Sequence, residues 1–257
     1  MLFRSSGGFA ANHLTAGEIW LLSWLDRQGF AVDVCSDADL HAGTLALSAY
    51  KALVLSTHPE YWSQQMAANV QQYLDSGGCL FYLGGNGAFR TVDYSADGSA
   101  MTTGADAAHW CAEAWQPAGP MPRTLLGVAY DIRADGNYPQ RCGYIVDDAS
   151  HRFMDGTGLA NGDVFATSGR NGGGACGWEV DCASGAFEGG PPAAGLKILA
   201  HGQLVTGAGY RGDLAYYDAA GGGFVLAAGS ITVTGSLSTD AALARLVKNA
   251  LSEAVGR

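Results

Sequence analysis

Charge is scarce in this 257-residue sequence: only 15% of its residues are Asp, Glu, Lys or Arg. With 48% hydrophobic residues, that balance excludes a disordered chain and supplies a sizeable core. Basic residues are scarcest, 14 against 24 acidic ones, and the net charge of −10 argues against nucleic acid or an anionic membrane as partner. Long apolar runs are missing too. Lys51 to Leu55 and Phe224 to Ala228 fall far short of the roughly 20 residues a membrane-spanning helix needs. The opening Met1-Leu2-Phe3-Arg4-Ser5-Ser6-Gly7 has neither the apolar stretch nor the cleavage site of an export leader, so a cytoplasmic chain with reduced thiols is expected. None of the six cysteines (Cys35, Cys79, Cys111, Cys142, Cys176, Cys182) forms a CxxC pair, which speaks against structural zinc. Cys35 and Cys79 read as small core residues, and a Cys176–Cys182 disulfide is disfavoured. Gly172-Gly173-Gly174 lacks the Lys-Ser/Thr of a phosphate-binding loop.

What is present is an alternation of helices and strands. Residues 13–28 carry Ile19, Leu22 and Leu25 at helical spacing, with Thr15 and Glu18 as a capping box. Phe30 to Cys35 reads as a short strand, and Ser36-Asp37-Ala38-Asp39 as an acidic turn. Ala52 to Ser56 and Cys79 to Leu83 are continuous apolar runs of the kind buried parallel strands make. Between them Ser63 caps a helix that Gly77-Gly78 ends. Further strands are expected at Leu196 to Ala200, Leu214 to Tyr217 and Phe224 to Ser230, and a helix from Asp240 to Val255. The fold class is thus α/β: a parallel sheet with helices on both faces, built from about 13–90 and 196–257. Residues 91–195, rich in glycine, aspartate and proline, are expected to form a loop-rich β lobe within one domain. Ligands of such sheets bind beyond the C-terminal strand ends. That rule selects His58-Pro59-Glu60-Tyr61-Trp62 and Gly84-Gly85-Asn86-Gly87.

Those two loops, with Ser23-Trp24-Leu25-Asp26, Ser36-Asp37-Ala38-Asp39-Leu40-His41, the Gly173-to-Asp181 run and Gly222-Gly223-Phe224-Val225, carry a resemblance that covers most of the chain in order. It is similar to the N,N-dimethylformamidase large subunit family, in its C-terminal class I glutamine amidotransferase-like (flavodoxin-like) domain. The resemblance implies an amidohydrolase acting on a small amide, a homo-oligomer or partner subunit, and one iron ion held by two tyrosines and a carboxylate. Tyr61 matches one tyrosine; Trp20 stands where the other is expected, and an indole is no metal ligand. The carboxylate's place falls near Trp110, with Glu113 close by.

The residues taken one by one allow a functional and a plainer reading. Tyr61, His58 and Glu60 are candidate catalytic groups, as ligand, base or supporting partners; equally, Tyr61 packs, His58 bonds a carbonyl and Glu60 caps a helix. Trp62, Asn86, Gly85 and Trp20 are candidate substrate contacts. Asn86 holds a substrate carbonyl or a water, or else is a left-handed turn residue; its amide is no nucleophile. His109 and Glu113 have the i, i+4 spacing of a helical metal pair, which is also that of an ordinary surface pair. With Tyr61 they make up the candidate metal set. Glu179 and Asp181 read as loop-ordering carboxylates. Two functions follow: a hydrolase of small amides, or a non-catalytic small-molecule-binding or assembly domain that kept the scaffold and lost the iron.

Overall fold

The computed structural model of the chain describes residues 13–103, 122–130, 140–183, 190–203 and 211–257. Helix α1 (His13–Gln28) forms over the expected span and buries Leu21, Trp24 and Leu25, with Thr15 inside it rather than capping it. The chain then runs extended but unpaired over 30–36, so the strand expected at Phe30 to Cys35 does not form. Val34 there is 76% exposed. Cys35, expected in the core, is exposed as well. Alternation marks a segment able to pair, but a strand also needs a neighbour to complete its ladder. The acidic turn is a short helix, α2 (Asp37–Ala42). Ser36 caps it and Asp39 accepts from Ser36 N at 3.1 Å.

Strand β1 (Ala52–Thr57) is followed by β2 (Tyr61–Trp62), α3 (Gln64–Asp75) and β3 (Cys79–Gly84). Ser63 caps α3 as expected, its Oγ accepting from Met66 N at 3.1 Å. After these come β4 (Arg90–Tyr94), β5 (Met101–Thr103), β6 (Ala129–Tyr130), β7 (Arg141–Cys142), β8 (Tyr144–Val146), β9 (Val164–Phe165), β10 (Cys176–Gly177) and β11 (Asp181–Cys182). The chain closes with β12 (Lys197–Gln203), β13 (Arg211–Asp218), β14 (Phe224–Ala227) and the helix Ala241–Val255, capped by Asp240.

The main sheet has seven strands in the order β1-β3-β14-β13-β12-β8-β9. Pairings β1–β3 and β3–β14 are parallel. The remaining four are antiparallel. The parallel sheet expected from the sequence is therefore corrected to a mixed one. Only residues 219–223 separate β13 from β14, whereas a parallel return needs a crossover of a dozen residues or more. The expected separate lobe also changes, since β8 and β9 extend the main sheet. Helices cover both faces. Phe81 and Leu83 of β3 pack in one cluster with α1 and the C-terminal helix. Leu80 and Tyr82, alternating with them, join Met66, Val70 and Leu74 of α3 on the other side.

Candidate functional site

The loops after β1 and β3 meet at the parallel end of the sheet, held by main-chain bonds. Gly85 N donates to Thr57 O (3.1 Å), Ala88 N to Pro59 O (2.8 Å) and Arg90 N to Glu60 O (2.9 Å). A third segment, 178–181, closes over them, with Ile231 N bonded to Glu179 O (3.3 Å). The fit leaves no room for side chains at the turn. A Cβ on Gly85 would stand 2.4 Å from Glu179 O, and one on Gly87 2.6 Å from the Tyr82 hydroxyl. Thr57, Asn86, Ala88 and Trp178 all take positive φ (62°, 53°, 51° and 70°). Non-glycine residues held in that region by their surroundings cluster at functional sites.

At the centre is His58. Its Nδ1 lies 3.0 Å from His13 Nε2. Its Nε2 lies 3.0 Å from Glu179 Oε2 and 3.4 Å from Glu60 Oε2. Burial opposes a charge on His58, but the hydrogen bond to Glu179 and the nearby Glu60 and Asp181 carboxylates outweigh it, and its pKa is raised. The pKa of His13 is lowered, first by burial and then by the charge on His58. Asn86 Nδ2 donates to Glu179 Oε2 (2.9 Å) and also lies 3.2 Å from His58 Nε2. Asn86 Oδ1 is buried and has no protein partner. Arg90 Nε ties down the other oxygen of Glu60 at 3.1 Å. Burial and the Glu179 charge raise the Glu60 pKa against the pull of His58 and Arg90.

Beneath this lies a third carboxylate, Asp181, 0% exposed. It accepts from the Tyr82 hydroxyl (2.6 Å) and from Asn86 N (2.7 Å). Gly87 N donates in turn to the Tyr82 oxygen at 2.6 Å. Burial pushes the Asp181 pKa up to about 6, against these hydrogen bonds. Asp181 thus orders the turn, the role its sequence context suggested. Glu179 does more, because it is the direct partner of His58 and Asn86.

Among the other candidates, Tyr61 is 38% exposed. Its pKa is raised by burial and by the adjacent Glu60, to which it hydrogen-bonds. Trp62 is 1% exposed and packs in the core beside α3, not in the His58 cluster. Gly85 contributes space rather than a contact. Trp20 is half-buried, two turns beyond His13 on α1. His109 and Glu113 lie outside the described residues. Sequence reasoning overlooked His13 and Trp178 as site residues and gave Glu179 only a loop-ordering role. His13 and Trp178 stack with ring centroids 4.7 Å apart. The signal for two of them was the run Gly177-Trp178-Glu179-Val180-Asp181, whose place in space the sequence left open.

Of the ligands the resemblance implies, Tyr61 is the one matched phenol, Trp20 offers no lone pair, and the place expected for the carboxylate, near Trp110, lies outside the described residues. Glu60 and Glu179 pair with Arg90, His58 and Asn86. Among the described residues no group of three or more His, Cys, Asp or Glu side chains is arranged to hold a metal.

Comparison with known proteins points one way. The family described as N,N-dimethylformamidase beta subunit-like, C-terminal, matches residues 3–246. The N,N-dimethylformamidase beta subunit of Alcaligenes sp is 33% identical over 87 residues, 34% of this chain and 11% of that subunit. That of Paracoccus aminophilus is 33% identical over 86 residues, 33% of this chain and 11% of the subunit. The similarity to each relative thus spans about a tenth of its length.

Proposed function

This chain belongs to the N,N-dimethylformamidase beta subunit-like C-terminal family, and from that premise we propose that it hydrolyses the C–N bond of a small amide, with Glu60 and His58 as its acid–base pair. The observation that carries the reading is the His58 imidazole set between the carboxylates of Glu60 and Glu179 at the parallel end of the sheet. Glu60, with a raised pKa, is a base strong enough to take a proton from water. His58 is an acid held ready to give one to the leaving nitrogen. The water oxygen bonds to the amide carbon and the C–N bond breaks. The proton lost by water stays on Glu60, and His58 supplies the one the amine needs. Proton exchange between the two, 3.4 Å apart, restores the site. Tyr61, beside Glu60, is the phenol that donates to the carbonyl oxygen as charge develops there, its hydroxyl turning from Glu60 to the substrate. We read the turn as the elbow of a glutamine amidotransferase-like arrangement with Asn86 in the nucleophile's place; a carboxamide forms no acyl intermediate, so water attacks directly.

The test is amine release from N,N-dimethylformamide, formamide and other small amides. Glu60→Gln should lower the rate roughly 100-fold or more, and Tyr61→Phe less, at unchanged Tm. Equal rates in the parent and Glu60→Gln would remove Glu60 from the chemistry. A second reading, a binding or assembly domain working beside a partner subunit, is favoured by one observation: both His58 nitrogens are already engaged by protein groups. A parent that hydrolyses none of these amides, with iron, zinc or manganese supplied, would support it.

A further inference from the structure

Cys142 and Cys176 take no part in the His58 cluster. They are direct partners in the antiparallel pair β7–β10. Directly opposed residues of such a pair point to one face with Cα atoms about 4.5–5.5 Å apart, inside the roughly 4.4–6.8 Å range of disulfide-linked cysteines. Their sulfur atoms converge on one point of the neighbouring strand. A Cβ on Gly202 of β12 would stand 2.3 Å from Cys176 Sγ and 3.2 Å from Cys142 Sγ. Glycine at that position is what leaves room for two thiols side by side. Cys142 is half-buried and Cys176 fully buried, so Cys142 is the more accessible of the two.

We propose that Cys142 and Cys176 form a dithiol modification site that a small-molecule disulfide, such as oxidised glutathione, converts to an intramolecular disulfide. Cys142 is the attacking thiol. Its hydrogen bond with Cys176 holds its pKa below the ordinary thiol value, whereas that bond and burial push Cys176 well up. The Cys142 thiolate bonds to one glutathione sulfur, the reagent's S–S bond breaks, and one glutathione thiolate leaves. Cys176 then passes its proton to solvent and attacks the Cys142 sulfur, expelling the second glutathione thiolate. Two protein thiols are oxidised by two electrons, and one disulfide is reduced to two thiols. The bridge would fasten β7 to β10, where Arg141 lies 5.2 Å over the Trp178 ring, next to the His58 cluster. The inference stands whether or not the chain is a hydrolase.

The experiment incubates the folded protein with oxidised glutathione, blocks free thiols with N-ethylmaleimide in acid denaturant, and maps linked peptides after digestion with trypsin and a glutamate-specific protease. Cleavage at Glu179 separates Cys176 from Cys182. The expected result is a Cys142–Cys176 link without a glutathione adduct at either residue. Cys176→Ala should instead leave glutathione on Cys142, and Cys142→Ser should leave Cys176 unmodified. The proposal is overturned by a link from either cysteine to Cys111 or Cys182, by a stable adduct on Cys142 in the parent, or by both thiols remaining free at a concentration that modifies the exposed Cys35.

Discussion

The turn after β3 and the strand pair β12–β13 each bury a carboxylate completely, and they handle the charge differently. Asp181, under the turn, is held by neutral groups, the Tyr82 hydroxyl and Asn86 N. Asp213, in β13, has a cation: Arg211 Nε stands 2.7 Å from its Oδ1, in ion contact without the alignment of a hydrogen bond. It also accepts from Ala183 N at 2.8 Å. Burial raises both pKa values. The difference teaches that the site end of the sheet is fixed by close main-chain approach and a neutral network, while the antiparallel end relies on a partly solvated ion pair. A neutral network places Asn86 and Glu179 without adding a cation beneath the turn.

The sharpest way to break this comparison is Gly85→Ala. The new Cβ would meet Glu179 O and Ile231 N, both main chain, so the turn must shift. A loss of about 3 kcal/mol in denaturant unfolding is expected, with lost activity. A neutral outcome would mean that the turn is loose. Next, Asp181→Ala leaves a buried hydroxyl and a buried N–H without their acceptor and should cost about 2–3 kcal/mol. Asp213→Ala should cost about 1 kcal/mol, because Arg211 is one-third exposed and can turn to water. Equal losses would erase the distinction.

A smaller effect appears with pH. The folded Asp181 carboxyl holds its proton up to about 6, against 3.8 for an unperturbed Asp. Between those values the folded state binds the extra proton, so this residue's contribution to stability grows as pH falls from about 6 to about 4. Asp181→Asn should flatten that part of the stability–pH curve; an unchanged slope would assign it to other groups. His58 acts in the same direction. With a raised folded pKa, its ion pairs contribute fully below the unfolded value and are lost as pH rises through the folded one. His58→Gln should remove a stability decline above about 6.5. A modest change is expected at the far surface. Arg152→Ala breaks a two-bond pair with Glu253 and a hydrogen bond to the Tyr216 hydroxyl (2.7 Å), and should cost about 1 kcal/mol.

Much of the first half of the fold was legible. Apolar runs gave β1 and β3, Ser63 gave the start of α3, and the C-terminal helix followed from its apolar face. That no strand forms at 30–35 was not legible, because the alternation there resembles that of any strand and the missing partner is a tertiary fact. The direction of β12 and β13 was misjudged for a related reason: a run of apolar residues does not say which edge it joins, and the short return at 219–223 was the local hint. In the site, His58 and Asn86 could be paired because consecutive parallel strands bring their loops together. Glu179 and His13 could not be placed, since they arrive from sequence distances of 93 and 45 residues.

By itself the sequence determined the α/β alternation, the absence of a membrane-spanning helix among the described residues, and two strand-end loops dense in polar chemistry. Those follow from local periodicity and turn residues, which act over a few positions. Only the tertiary structure decided that His58 sits between two carboxylates, that Asp181 supports the turn from beneath, and that two cysteines share the space above Gly202. Such pairings depend on which edges meet and how closely. Burial then sets their protonation, because a charge's cost comes from the dielectric around it and not from its neighbours along the chain.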